Sequence, residues 1–387
     1  MSNWQKVKLD CICEKKIKTI SSKDDFFIDY IDISSIDNQE KKVTTYQTLS
    51  SVKAPSRAKQ ILEKGDILVS TVRPNLNAVA INNLESENIV VGSTGFCVLR
   101  CTKEADVNYV FNYCKSKEFI EGLVKIAKGA SYPAVSNTEV RNSLIPLPPI
   151  EEQVHISKSL DKADELLTMH KQRLTELNNL IKSTFYDIFG DPVINDKGWT
   201  EIALNDLLED IKYGTSTPPL YSESGYRFIR ATNIKAGRIN ENGVKYISDI
   251  EATKISKCKL KIGDLIIVRS GVNTGDTCMI TREYDGQYAG YDLIITPKQS
   301  KIDSAYLNEL LNTKYMEIVV KPLTRRAAQP HLNAEQIKQL RIILPPIEIQ
   351  NKFATIVTKI EEQKALVKKA IDETQLLFNS LMSQYFD

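Results

Sequence analysis

The chain has 387 residues, 42% of them hydrophobic and 26% charged, and its 51 Lys+Arg against 49 Asp+Glu leave a net charge of +2. That length calls for two or more domains. The composition excludes a disordered chain, and the charge balance excludes a histone-like binder or a strongly basic tail.

Taken in chain order, Met1–Lys6 lacks the apolar core of a signal peptide, and apolar runs such as Ile67–Val69 are strand-sized, so a cytoplasmic protein is expected. β-Branched runs predict strands at Ile67–Val72 and Phe96–Leu99, followed by a helix near Val107–Ala127. Ser136-Asn137-Thr138-Glu139 fits a capping box for a short helix. Leu147-Pro148-Pro149 then closes the globular part, because proline lacks a donor and restricts the residue before it. About 40 residues without Gly or Pro follow, a long helix that exits at Gly190-Asp191-Pro192. The second half predicts strands at Leu265–Val268 and Leu293–Thr296, a helix at Ser304–Val320, and a cap at Asn333-Ala334-Glu335-Gln336. A second Leu344-Pro345-Pro346 and a second long helix complete it.

The two halves are copies. Leu147-Pro148-Pro149-Ile150-Glu151-Glu152-Gln153 returns 197 positions later as Leu344-Pro345-Pro346-Ile347-Glu348-Ile349-Gln350. The same offset pairs Asp106 with Asp303, Tyr109 with Tyr306, Pro133 with Pro330 and Phe189 with Phe386. Earlier matches carry slightly different offsets, as small loop insertions produce: Trp4 with Trp199, and Gly65-Asp66-Ile67-Leu68 with Gly263-Asp264-Leu265-Ile266. A duplicated supersecondary plan fills the chain.

In the first long helix Ile156, Leu160, Ala163, Leu167, His170, Leu174, Leu177, Ile181, Thr184 and Ile188 alternate in steps of four and three. The second carries Phe353, Val357, Ile360, Lys364, Val367, Ile371, Thr374, Phe378, Leu381 and Tyr385 at the matching places. This is a heptad seam. Each helix should reach roughly 55–60 Å at about 1.5 Å per residue. A seam that long needs a partner of similar length, and each helix is the other's candidate. An antiparallel pair fits best, since the first helix leads directly into the second globular part. That gives globular parts at 1–146 and 192–343 and helical spacers at 147–191 and 344–387. The globular parts carry 20 basic against 17 acidic and 21 against 18 residues; the helical segments carry 5 against 8 and 5 against 6. The small bias points the globular parts toward a polyanion and the helices toward protein.

Catalytic signatures are missing. There is no GxxxxGK[ST] or GxGxxG, no Asn/Asp-Pro-Pro-Tyr/Phe of an amino-methyltransferase, and no Pro-Asp opening a nuclease carboxylate motif. Seven scattered cysteines without CxxC and three separate histidines read as free thiols and isolated side chains rather than a metal site.

Two tandem parts, each closed by Leu-Pro-Pro-Ile-Glu-x-Gln and a heptad helix, resemble the DNA-specificity subunits of type I restriction–modification systems. The resemblance covers the whole chain. It implies an α+β architecture of two similar mixed α/β target-recognition domains separated by two long antiparallel coiled-coil helices, with pseudo-two-fold symmetry. It also implies a non-catalytic subunit that reads double-stranded DNA as an asymmetric bipartite target with an unread spacer and directs two modification subunits. Restriction subunits could join the complex. S-adenosylmethionine and ATP are expected on those partners and no cofactor or metal in this chain. Two alternatives stay open: a related two-half-site system whose partner fuses methylation and cleavage, and a coiled-coil scaffold without DNA.

Candidate contacts are polar or basic residues on loops between apolar strands. In the first domain these are Lys53, Ser56, Arg57, Lys59, Arg73, Asn75, Asn77, Lys128, Ser131 and Tyr132. In the second they are Lys212, Tyr213, Arg230, Asn233, Arg269, Asn273, Thr274, Arg325, Arg326, Gln329 and His331. Arginine suits guanine, asparagine or glutamine suits adenine, and lysine more often meets phosphate.

Overall fold

The computed structural model describes residues 4–20, 25–324 and 331–386. The chain divides into two compact units, one of 1–171 with 369–387 and one of 172–368. Each unit holds one globular part together with one end of each long helix.

In the first unit a mixed four-stranded sheet runs in the order Gln47–Ser50, Phe27–Ile31, Ile89–Ser93, Ala58–Ile61. Its central pair, Ile28 to Ile31 against Ile89 to Gly92, is parallel. A three-stranded antiparallel sheet of Phe96–Leu99, Ile67–Ser70 and Val79–Ile81 lies alongside in sequence. The Gly-Asp start of its central strand has a structural cause. Gly65 takes φ 92°, a left-handed value that favours glycine. The buried Asp66 carboxylate accepts the Glu63 N–H at 2.8 Å and holds the Arg100 guanidinium through two 2.8 Å bonds. The predicted helix at Val107–Ala127 is two helices, Val107–Lys115 and Lys117–Ile126. Ser116 separates them because its hydroxyl caps the second, accepting from Phe119 N–H at 3.2 Å.

The second unit repeats this plan with one more strand. Leu208–Tyr213 pairs with Leu293–Pro297, which pairs with Leu265–Ile267 and then Thr277–Met279. Another sheet joins Tyr221–Ser222, Lys245–Ile247, Tyr226–Ile229 and Tyr288–Ala289, the last pair parallel. Asp264, the counterpart of Asp66, accepts the Lys261 N–H at 2.9 Å and the Thr296 hydroxyl at 2.7 Å. The helix predicted over Ser304–Val320 ends at Leu311, and Met316–Val320 forms a wider π-helical turn.

Both predicted capping boxes close, Ser136 with Glu139 and Asn333 with Gln336. The long helices run Ile150–Phe189 and Ile347–Phe386, 40 residues each. Their direction is legible inside each unit. In the first, Ile156 and Leu160 from the start of one helix share a core with Met382 and Phe386 from the end of the other. In the second, Phe185 and Phe189 from the end of the first helix lie 5.7 and 5.3 Å, ring to ring, from Phe353 near the start of the second. The pairing is antiparallel.

Of the seam residues, Ile156, Leu160, Leu167, Leu177, Ile181, Phe353, Val357, Ile360 and Val367 are buried. Leu174, Ile188, Ile371, Phe378, Leu381 and Tyr385 are half-buried. At both helix ends the burial shifts by one residue, to Phe185 and Phe189 in one and Met382 and Phe386 in the other. A straight helix drifts from a 3.5-residue repeat, and here its last turns meet a globular core as well as the start of the other long helix. Phe189 packs 4.6 Å from Tyr306, and Phe386 packs 5.2 Å from Tyr109.

Two further contacts seat the helices. Gln153 donates to the Pro148 carbonyl at 2.9 Å, and Gln350 to the Pro345 carbonyl at 2.8 Å, while each accepts an amide hydrogen from the facing helix start. The first helix ends at Gly190, where φ is 76° and a Cβ would lie 2.1 Å from the Asp196 carboxylate. The Trp199 indole then donates to the Phe189 carbonyl at 2.9 Å.

Candidate nucleic-acid interface

Three of the predicted loops of the first unit converge. The Thr94–Gly95 turn joins two of them: Thr94 N–H donates to the Arg57 carbonyl at 2.8 Å, and Thr71 donates to the Gly95 carbonyl through N–H and hydroxyl, both at 2.9 Å. The third is bridged by Val135 N–H to the Thr71 carbonyl at 2.9 Å and Arg73 N–H to the Pro133 carbonyl at 2.7 Å. This brings Arg57, Arg73, Lys128, Ser131 and Tyr132 onto adjoining backbone. Lys128 and Ala134 exchange two 2.9 Å backbone bonds, closing the tip that presents Ser131 and Tyr132. Tyr132 is 67% exposed, and the Arg73 guanidinium lies 4.6 Å above its ring. Such an arginine keeps its donors while the ring limits its rotamers. Arg73 and Asn77, with φ 50° and 45°, bracket the short turn Pro74–Leu76 that exposes Asn75. The Asn77 carbonyl accepts the Lys41 ammonium at 2.6 Å. Lys53 and Ser56 are exposed and Lys59 is half-buried on the strand Ala58–Ile61.

The second unit builds a tighter constellation. Leu332 N–H donates to the Arg269 carbonyl at 2.8 Å, the counterpart of the Val135–Thr71 bond. The Arg269 guanidinium sits 4.5 Å from the Tyr213 ring and 4.4 Å from the Tyr291 ring. Its Nη2 donates to His331 Nε2 at 2.7 Å. Tyr213 is held in turn, its hydroxyl accepting the Ala334 N–H at 3.0 Å. Asp292 lies beneath, taking the Arg269 N–H on one carboxylate oxygen at 3.2 Å while the other is buried without a partner. Burial pushes the Asp292 carboxyl up to about 6, against the opposing pull of the Arg269 N–H and charge. Burial, then the Arg269 charge, draws His331 below its ordinary value, so the neutral ring is favoured and can accept from the guanidinium.

The remaining candidates divide. Arg230 is half-buried, donating to the Gly243 carbonyl at 2.7 Å with its guanidinium 5.9 Å from the Tyr221 ring. Lys212 turns its ammonium toward the Lys259 carbonyl at 3.5 Å, and Asn273 reaches the Ala231 carbonyl at 3.4 Å. Two candidates face inward. Asn233 is fully buried, its amide donating to the Asn240 and Asn242 carbonyls and accepting the Arg230 N–H. Thr274 is 4% exposed, with its hydroxyl on the Gly271 carbonyl at 2.6 Å. Both shape their own loops and present no group outward. Arg325, Arg326 and Gln329 lie outside the described residues.

Tyr291 and Asp292 were missed by sequence reasoning. Their only local signal is a Gly-Tyr-Asp run ahead of an apolar strand; sheet order brings them to Tyr213 and Arg269, and a bridge outside the sheets adds His331. Among the described residues no cluster of three or more His, Cys, Asp or Glu is arranged to hold a metal. No described helix is long and apolar enough to cross a membrane.

Known proteins share this organisation. The type I restriction modification DNA specificity domain matches residues 1–179 and again 196–375. The type I restriction enzyme MjaVIII specificity subunit of Methanocaldococcus jannaschii is 23% identical over 315 residues, 76% of this chain and 72% of that protein. A chain from a structure of the type I R-M system, solved for its complex assembly and conformational transition, superposes with a TM-score of 0.64 at 21% identity. It covers 99% of this chain and 97% of that one. The type I S subunit of M. genitalium gives 0.61 at 15% identity, covering 100% and 96%. With both halves of the chain matched, the protein belongs to the type I restriction–modification DNA specificity family, whose part is to recognise DNA sequence and not to catalyse.

Proposed function

We propose that this chain reads an asymmetric bipartite DNA target whose two half-sites are separated by bases that no loop touches. The recognition domains are 1–146 and 192–343, and the spacers are 147–191 and 344–387. The carrying observation is a duplicated scaffold with unlike reading loops: Arg73 on Tyr132 in one unit, and Arg269 between Tyr213 and Tyr291 in the other. Identical loops would favour a palindrome-like target; unlike loops favour two different half-sites.

The helix pair sets the separation. DNA turns about 34–36° per base pair, so a rod altered by one or two helical turns would bring one domain to the wrong face. The rod also serves as the docking site for two modification subunits that methylate adenine in cells' cytoplasm, with restriction subunits joining the same complex. The test is to co-express the chain with its modification partner and map methylated adenines. The expected result is one two-part motif with unlike halves; a single continuous motif, or none, overturns the proposal.

A further inference from the structure

We infer that Arg269 reads one guanine in the half-site of the second domain, end-on through its outer Nη1–Nη2 edge. The inference rests on the proposed function and narrows it to a base.

The guanidinium is positioned before any ligand arrives. Two tyrosine rings flank it at 4.5 and 4.4 Å, and Nη2 gives one hydrogen to His331 at 2.7 Å. Nε is buried without a partner, so the inner edge is closed to DNA. The backbone on either side is pinned, the N–H to Asp292 and the carbonyl to Leu332 N–H. Among the described residues Nη1 has no hydrogen-bond partner, and Nη2 has a second hydrogen beside it. What remains is one hydrogen on Nη2 and those of Nη1, a pair of neighbouring donor nitrogens on a flanked guanidinium.

In the major groove only guanine offers two adjacent acceptors, O6 and N7, to such a pair. Adenine offers one acceptor beside a donor, thymine one acceptor beside a methyl group, and cytosine a donor. Two other candidates, Arg230 and Arg73, are less committed to this task. Arg230 spends a donor on Gly243, and Arg73 rests on a single, largely exposed ring. A phosphate also accepts a guanidinium fork, and that is the rival the experiment must separate.

The test maps methylated adenines in DNA from cells carrying the complex with the wild-type chain, Arg269→Ala or Arg269→Lys. The wild type should give a two-part motif with a G·C pair in the affected half. Arg269→Ala should make that one pair degenerate, with about tenfold or greater loss of discrimination there, and leave the other half intact. Arg269→Lys, which keeps the charge and loses the fork, should relax the same pair while preserving more of the methylation. Should Arg269→Ala abolish methylation, Arg269→Lys decides. Uniformly weaker methylation with every motif position retained would assign Arg269 to phosphate and overturn the inference, as would degeneracy at an A·T pair. A wild-type map lacking a two-part motif would instead refute the proposed function itself.

Discussion

The side-chain carbonyl of Gln153 accepts the amide hydrogen of Asp106 at 2.9 Å, joining the first turn of a long helix to the cap of the helix Val107–Lys115. Asp106 needs its carboxylate for the Tyr109 N–H, at 2.8 Å, so its own N–H must find an acceptor elsewhere. Gln350 and Asp303 make the same bond at 2.9 Å. Both glutamines are buried, and this explains why the repeated Pro-Pro-Ile-Glu-x-Gln ends as it does. Replacing Gln153 by Leu should orphan the Asp106 N–H and two carbonyls and lower stability by about 1–3 kcal/mol. Chemical denaturation should show it, with Gln350→Leu giving a loss of similar size.

The shift of burial at the helix ends separates two adjacent residues. Phe189 is fully buried against Tyr306 and Phe353, whereas Ile188 is half-buried. Phe189→Ala should cost about 3–5 kcal/mol, and Ile188→Ala clearly less. Equal losses in thermal or urea melts would mean that the heptad position still governs the last turn.

Asp292 and His331 give opposite pH dependences. The folded Asp292 carboxyl is raised to about 6 from 3.8, so between those values the folded state holds a proton that the unfolded state has released. Its contribution improves as pH falls through 6, and its burial cost is fully felt above 6. His331 is lowered from 6.5, so just below 6.5 the unfolded state takes up the proton first, and stability is lost as pH falls. Asp292→Asn keeps the acceptor for the Arg269 N–H and removes the buried charge. It should stabilise by on the order of 2 kcal/mol at pH 7.5 and by little at pH 4. Melting midpoints at the two pH values check the sign.

Arg73→Ala should relax one half-site and leave the half-site of the second domain untouched. Stacking on Tyr132 makes Tyr132→Ala a milder version of the same change, since the arginine survives and loses its platform. Methylation maps of both variants should show degeneracy in the same half; degeneracy in both halves would separate Arg73 from a one-domain role.

Much of the scaffold could be read before any coordinates. Double prolines, capping boxes and a glycine-free stretch are local signals, and a copy at a fixed offset multiplies each of them. The candidate interface was harder. Asn233 and Thr274 look like loop donors in sequence, yet a polar side chain beside a turn serves backbone carbonyls as readily as a ligand, and only packing separates the two uses. Phe185 and Phe189 fall outside the heptad because they also pack on Tyr306, a residue of a globular-part helix more than a hundred residues away. Tyr291 and Asp292 gain meaning only through the pairing of Leu293–Pro297 with its neighbours.

The fastening set (Gln153 with Asp106, Phe386 with Tyr109, and their counterparts Gln350 with Asp303 and Phe189 with Tyr306) shares no member with the loops that carry Arg73 or Arg269. Mutational drift in those loops therefore leaves the joints unstrained. On the proposed reading, such drift changes the bases those loops meet while the packing that seats the long helices stays as it was.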